Sequence, residues 1–123
     1  MRFLPAPLAL TAILLALPAQ AQRSTTLNAR TAGELADLCA ASPKDPLGDA
    51  KINFCHGFAQ GVITAELRHT EGGKKPFCFP SPPPTRTATM TEYVNWVRSK
   101  PDHRTPPAID GLLQFLGERF PCK

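Results

Sequence analysis

Four cysteines restrict how this short chain can fold. All of them follow an apolar N-terminal segment, at Cys39, Cys55, Cys78 and Cys122. An even number of cysteines in a small exported chain predicts disulfides, because oxidising compartments preserve them. No C-x-x-C pair occurs, and Cys55-His56 lacks the second cysteine that covalent haem attachment needs. We therefore predict two structural disulfides rather than a zinc site or a catalytic thiol.

The first 21 residues are typical of a secretory signal peptide. Arg2 gives the positive start, and an apolar stretch runs from Leu8 to Leu17. Ala19-Gln20-Ala21 then forms the small-x-small site that signal peptidase needs. The apolar stretch is shorter than the ~20 residues that span a bilayer, which argues against a membrane anchor. We predict export with cleavage after Ala21, which leaves a single domain over residues 22–123.

Length and charge exclude several classes of function. Removing 21 of the 123 residues leaves 102, which suits one modest core but not a TIM barrel or a two-domain enzyme. The net charge falls from +4 to +3 when Arg2 is removed with the leader. So small a positive excess gives no reason to expect a nucleic-acid partner.

Two helices are predicted in the first half of the domain. Residues 31–34 form a capping box, in which the Thr31 hydroxyl and the Glu34 carboxylate each accept from the other's backbone N–H. Asp45-Pro46 predicts the start of a second helix, with Asp45 as N-cap. The apolar pattern of this helix continues over residues 47–68. Gly57 and Gly61 lie one turn apart on it, and we predict that they allow close packing of a neighbouring helix.

Two further helices are predicted after a proline-rich connector. Residues 74–86 contain Pro82-Pro83-Pro84 and favour an extended conformation. A second capping box at residues 89–92 predicts a third helix that ends at Lys100-Pro101. A fourth helix is predicted to start at Thr105-Pro106 and end at Pro121. Its apolar face is expected to contain Ile109, Leu112, Leu113 and Leu116. No segment alternates as a strand would, so we predict an all-α fold of four helices.

The motifs of common enzyme classes are missing from the sequence. His56, His69 and His103 are isolated, and no pair has the spacing of a zinc-binding helix. There is no G-x-S-x-G and no phosphate-binding glycine loop. We predict no catalytic residue, metal or cofactor, and therefore a protein that acts by binding.

The order of several short motifs resembles the Rap/Tai immunity proteins. Residues 54–58 (Phe-Cys-His-Gly-Phe) resemble the F-C-x-G-Y/F motif of that family. Residues 35–39 carry L-x-x-L-C, residues 77–80 carry F-C-x-P, and the chain closes on Phe-Pro-Cys at residues 120–122. The likeness spans about residues 30–122. The chain departs from the family in its longer proline run after F-C-x-P, and in Phe58 where the family often has tyrosine.

This resemblance implies a periplasmic protein that inhibits a peptidoglycan amidase effector of a type VI secretion system. Family members are small and helical, form homodimers and push a loop into the amidase cleft. The segment between the third and fourth predicted helices looks like such a loop. Its candidate contact residues are Lys100, Asp102, His103 and Arg104. An ordinary helix–helix connector remains an equally good interpretation of this segment.

Two questions stay open from the sequence. We favour disulfides Cys39–Cys55, which would join the first two helices, and Cys78–Cys122, which would tie the proline loop to the C-terminus. Cys39–Cys122 with Cys55–Cys78 is the close alternative. The alternative function is a periplasmic chaperone or envelope-stress protein. It rests on three histidines and on a helix that carries Phe54 and Phe58.

Overall fold

The computed structural model of the protein describes residues 26–123. Within that range the chain forms four α-helices: α1 Ala32–Cys39, α2 Gly48–His69, α3 Arg86–Ser99 and α4 Ala108–Arg119. A short 3₁₀ turn, η1 Pro101–His103, lies between α3 and α4. No strand occurs within residues 26–123, although Thr31 and Pro107 form an isolated β-bridge. The predicted all-α class is confirmed, and the predicted signal peptide lies outside the described residues.

Helix α1 is central, because it packs against each of the other three helices more extensively than they pack against one another. It begins with the predicted capping box. The Thr31 hydroxyl accepts from the Glu34 N–H at 3.2 Å, and the Glu34 carboxylate accepts from the Thr31 N–H at 3.3 Å. Leu35 is fully buried beneath this first turn. The Tyr93 hydroxyl of α3 donates to the Ala32 carbonyl at 3.1 Å, which ties α3 to the same turn.

One hydrophobic cluster forms the core, and the helices share it unequally. Its largest fully buried side chains come mainly from α1, α3 and α4: Leu35, Phe77, Tyr93, Val97, Leu112 and Leu116. Helix α2 adds only Cys55 and Ala59 as buried apolar residues. Its other core-facing side chains are half-buried: Phe58, Val62, Ile63 and Leu67. Burial raises the pKa of the Tyr93 phenol above its ordinary value.

Both favoured disulfides are confirmed. Cys39–Cys55 joins the end of α1 to the first half of α2, and Cys78–Cys122 joins the connector to the C-terminus. The second bridge is reinforced by the Cys78 N–H, which donates to the Phe120 carbonyl at 2.7 Å. Phe77 beside it is fully buried. The proline-rich connector is therefore held against the core, as its cysteine predicted.

The start of α2 corrects the predicted N-cap. The helix begins at Gly48, and the residue at its N-cap, Leu47, makes no side-chain capping bond. Asp45 lies in the preceding turn, where its carboxylate accepts from the Leu47 N–H at 2.9 Å and pairs with Lys51. These contacts lower the pKa of Asp45, with the Lys51 side chain as the largest cause and the Leu47 N–H as the next. The aspartate stabilises a turn before the helix rather than the helix end.

The capping box predicted at residues 89–92 is wrong. Helix α3 begins at Arg86, and its N-cap is Thr85, whose hydroxyl accepts from the Ala88 N–H at 3.1 Å. Thr89 lies inside the helix, and its hydroxyl donates to the Thr85 carbonyl at 3.0 Å. The helix starts as soon as the prolines end, because Thr85 follows them in an extended conformation and caps as well as Thr89 would.

The predicted start and apolar face of the fourth helix both need correction. Helix α4 begins at Ala108, later than predicted, and Ile109 is 50% exposed. Phe115, which was not predicted, is only 2% exposed. The cause is close contact between α1 and α4, since a Cβ on Gly111 would lie 2.5 Å from the Cβ of Ala32. That approach turns Ile109 toward solvent.

The close packing predicted at Gly57 and Gly61 is also wrong. A Cβ built on either residue meets nothing within 4 Å among the described residues. The glycines at which a Cβ would come closer than 3.0 Å to a neighbour are Gly48, against the Ser42 carbonyl oxygen, and Gly111, 2.5 Å from the Ala32 Cβ. Helix α2 instead packs through the opposite strip, around Cys55 and Ala59.

Candidate functional site

The candidate site is the turn between α3 and α4, residues 100–105, which we call the α3–α4 turn. Pro101 cannot continue α3, and Lys100 before it is extended, with φ −145° and ψ 138°. The chain then forms η1. The His103 N–H donates to the Lys100 carbonyl at 3.1 Å, and the Arg104 N–H donates to the Pro101 carbonyl at 3.0 Å. The turn therefore has a defined hydrogen-bonded conformation.

His103 anchors the turn to α3. Its side chain is 9% exposed and stacks on Trp96, with ring centroids 3.7 Å apart and planes 11° from parallel. His103 Nδ1 lies 2.7 Å from the Trp96 carbonyl oxygen. Because a carbonyl can only accept, Nδ1 carries the proton in this contact. His103 thus supports the turn from beneath rather than presenting its ring to a partner.

Glu118 of α4 holds the indole of Trp96. The indole Nε1–H donates to one Glu118 carboxylate oxygen at 2.7 Å, and the Gln114 amide donates to the other at 3.1 Å. The pKa of Glu118 is lowered, first by the Trp96 hydrogen bond and then by that of Gln114. The charges of His103 and Lys100 act in the same direction. The turn is therefore linked through Trp96 to both helices that flank it.

Arg104 attaches the far end of the turn to α1. Its carbonyl accepts from the Gly33 N–H at 3.0 Å. Its guanidinium pairs with both oxygens of Asp37, at 2.8 Å and 3.3 Å, and this pair raises the pKa of Arg104. Three guanidinium atoms lie 3.0 Å from the place of a Cβ on Gly33. The glycine therefore leaves room for the guanidinium to lie against α1.

Three of the four predicted contact residues face solvent. Lys100, Asp102 and Arg104 are exposed, whereas His103 is buried. The structure brings to them several residues that the sequence did not indicate: Gly33, Asp37, Trp96 and Glu118. No local pattern marks these partners, since Trp96 and Glu118 are 22 positions apart. The one available signal was that Trp96 is the only tryptophan of the chain.

Two apolar grooves lie elsewhere, on either side of the proline-rich connector. One, of about 620 Å³, is bounded by Phe79, Pro82, Phe120 and Lys123. The other, of about 400 Å³, lies between the connector and α2, α3. The four cysteines form two disulfides, so none offers a thiol nucleophile. Within residues 26–123 no three His, Cys, Asp or Glu side chains are arranged to hold a metal ion.

A comparison with known protein families shows to which family the chain belongs. The model of the Rap1a immunity proteins matches residues 31–122, which is nearly all of the described structure. The chain belongs to the Rap1a immunity protein family. No curated protein and no solved structure matches it significantly. Membership of the Rap1a family confirms the predicted Rap/Tai resemblance, and it indicates a non-catalytic immunity protein that binds a partner protein.

Proposed function

We propose that this Rap1a-family protein inhibits a peptidoglycan amidase effector of a type VI secretion system by blocking its active site. The family match over residues 31–122 carries the proposal, because immunity proteins act by binding an effector. The α3–α4 turn is the proposed inhibitory element. It is short and internally hydrogen-bonded, so little conformational entropy is lost when a partner binds it.

We assign the partner contacts to the exposed charges of the α3–α4 turn. Lys100 and Arg104 would meet an acidic rim around the amidase cleft, and Asp102 would accept from backbone N–H groups. Because Arg104 already pairs with Asp37, Lys100 carries the free positive charge of the turn. His103 would contribute indirectly, by keeping these three side chains in place.

The proposed site of action is the periplasm. Two disulfides fit an exported protein, because such bonds persist in oxidising compartments. No helix within residues 26–123 is long and apolar enough to cross a membrane. The leader over residues 1–21, with cleavage after Ala21, supplies the export signal in this proposal. N-terminal sequencing of the exported protein tests the cleavage site.

The direct test is inhibition of amidases by the mature protein, residues 22–123. Peptidoglycan hydrolysis by each candidate effector from the same genome is measured while the protein is titrated in. We expect hydrolysis by one effector to stop near one protein per enzyme. Unchanged hydrolysis at molar excess against every candidate would contradict the proposal.

A matched pair of lysine variants then locates the surface. Lys100→Ala should weaken inhibition about tenfold, since it removes the free positive charge of the turn. Lys44→Ala removes an exposed charge between α1 and α2 and should leave inhibition unchanged. Equal effects of the two substitutions would place the contact elsewhere. Sedimentation of the mature protein alone tests the homodimer that the family resemblance predicts.

A further inference from the structure

The conformation of the α3–α4 turn depends on one aromatic surface. His103 is the only residue of the turn whose side chain is buried, and the ring on which it stacks belongs to Trp96. The same tryptophan supplies the carbonyl that accepts from His103 Nδ1 at 2.7 Å. Ser99, just before the turn, also donates to that carbonyl, at 2.7 Å. Trp96 thus contacts the turn through both its backbone and its ring.

The ring of Trp96 is itself held in place. Its edge is fixed by the hydrogen bond to Glu118, and its ring lies near Phe115 and Tyr93, with centroid distances of 5.9 Å and 6.3 Å. Phe115 and Glu118 belong to α4, and Tyr93 belongs to α3. Rotation of the indole would break the Glu118 bond and uncover His103. Because α3 and α4 hold Trp96 in place, its stacking on His103 restricts the motion of an otherwise exposed turn.

We propose that Trp96 is a positioning residue that keeps the α3–α4 turn in its partner-binding conformation. This inference rests on the proposed function, because it assumes that the turn binds the effector. Without the indole, His103 loses its stacking surface and the turn samples other conformations. The apparent dissociation constant rises in inverse proportion to the fraction of protein in the competent conformation. Trp96 sets affinity in this way without touching the partner.

Two substitutions at Trp96 distinguish the effect of aromatic stacking on His103 from the effect of side-chain volume alone. Trp96→Phe keeps an aromatic face under His103 and loses the bond to Glu118, whereas Trp96→Leu removes the face. We expect the hydrogen-bonded backbone amides of His103 and Arg104 to exchange with solvent at least tenfold faster in Trp96→Leu than in the wild type. Affinity for the inhibited amidase should fall about tenfold in Trp96→Leu and less than threefold in Trp96→Phe.

A stability control distinguishes positioning from general loosening. Val62→Ala removes half-buried apolar atoms on α2, away from the turn, and lowers the melting temperature without touching Trp96. It should leave both the affinity and the amide exchange of His103 and Arg104 unchanged. Should Trp96→Leu fail to fold, His103→Leu takes its place, since it removes the other ring of the stack. Unchanged exchange or unchanged affinity in the folded stack variant would overturn the inference.

The sole tryptophan also gives a direct optical readout. Because no other indole is present, the emission of the wild type reports the surroundings of Trp96 alone. His103→Leu should shift the emission of the free protein, since the stacked ring is lost. If the wild type inhibits no amidase, the proposed function fails. The exchange measurement then still decides whether Trp96 fixes the turn.

Discussion

Helix α2 and the three-helix unit of α1, α3 and α4 are stabilised in different ways. Helix α2 has 22 residues, of which only Gly48, Cys55 and Ala59 are buried. Helix α4 has 12 residues and buries five of them. Backbone hydrogen bonds also join the extended segment before α1 to the start of α4. In one of them, the Ala108 N–H donates to the Arg30 carbonyl at 2.9 Å. The three-helix unit holds most of the fully buried side chains, and α2 is a long, half-buried cover that packs on α1 and is bridged to it by Cys39–Cys55.

This difference explains why the α3–α4 turn can form a rigid binding element. The α3–α4 turn belongs entirely to the three-helix unit, because it contacts Trp96, which Glu118 holds, on one side and Gly33 and Asp37 on the other. None of these residues lies on α2. A loosening of α2 should therefore leave the turn in place, whereas a cavity in the three-helix unit should disturb it.

The largest expected effect comes from a pair of leucine truncations. Leu35→Ala empties a fully buried position in α1 and should lower the free energy of unfolding by about 4 kcal/mol. Leu67→Ala on α2 removes a half-buried side chain and should cost about 1 kcal/mol. Urea denaturation of both variants measures the two values. Equal losses would contradict the division into a packed unit and a cover.

The next effect comes from removing the bridge that fastens α2. Cys39→Ser with Cys55→Ser opens a disulfide between residues 16 positions apart, and should cost about 3 kcal/mol through the entropy of the unfolded chain. Hydrogen exchange should show faster opening of α2 while α3 and α4 keep their protection. Uniform loss of protection over all four helices would mean that α2 is as integral to the core as the rest.

Local signals in the sequence predicted the four helices and one of the two capping boxes. The capping box at Thr31 was confirmed, whereas the one at residues 89–92 was wrong because Thr85 already caps α3. The apolar pattern predicted α2 over residues 47–68, close to its observed bounds of Gly48–His69. Gly57 and Gly61 were assigned to a helix contact from their spacing alone, and no neighbour among the described residues lies within 4 Å of a Cβ at either position. Spacing within one helix does not reveal what packs against it.

The candidate site shows the same limit. Two prolines and a run of charges identified residues 100–105 as a turn, because these are local features. The support of the turn comes from Trp96, which is seven positions from His103, and from Asp37, which is 67 positions from Arg104. Such contacts are set by how α1, α3 and α4 pack together. No spacing in the sequence encodes them.

A pair of glycine substitutions should have opposite signs. Gly111→Ala places a Cβ 2.5 Å from the Ala32 Cβ, so α1 and α4 must separate, and stability should fall by about 2 kcal/mol. Gly57→Ala meets nothing within 4 Å and improves helix propensity, so stability should rise by about 1 kcal/mol. Thermal unfolding of both variants gives the signs. A fall in the stability of Gly57→Ala would contradict the structure, because it would mean that a neighbour lies close to this position.

The smallest effect is an acid-induced loss of stability to which both regions contribute. The pKa values of Glu34 and Glu118 in the three-helix unit, and of Asp45 before α2, are all lowered. For Glu34 the largest cause is the Arg30 backbone N–H, for Glu118 the Trp96 hydrogen bond, and for Asp45 the Lys51 side chain. All three carboxyls are at or near the surface, where solvent screens such interactions, so each effect is small.

The sign of the pH dependence follows from these directions. A carboxyl whose pKa is lower in the folded than in the unfolded protein stabilises the fold fully above its unfolded value. That stabilisation is lost as the pH falls through the folded pKa, so it begins to decline near 4.5 for the two glutamates and near 3.8 for Asp45. Urea denaturation at pH 7 and pH 2.5 should therefore show a lower free energy of unfolding in acid. Glu34→Gln should reduce the difference for the three-helix unit, and Asp45→Asn should reduce it for the start of α2. An identical difference in wild type and both variants would show that other groups cause the acid sensitivity, and that these carboxylates stabilise neither region.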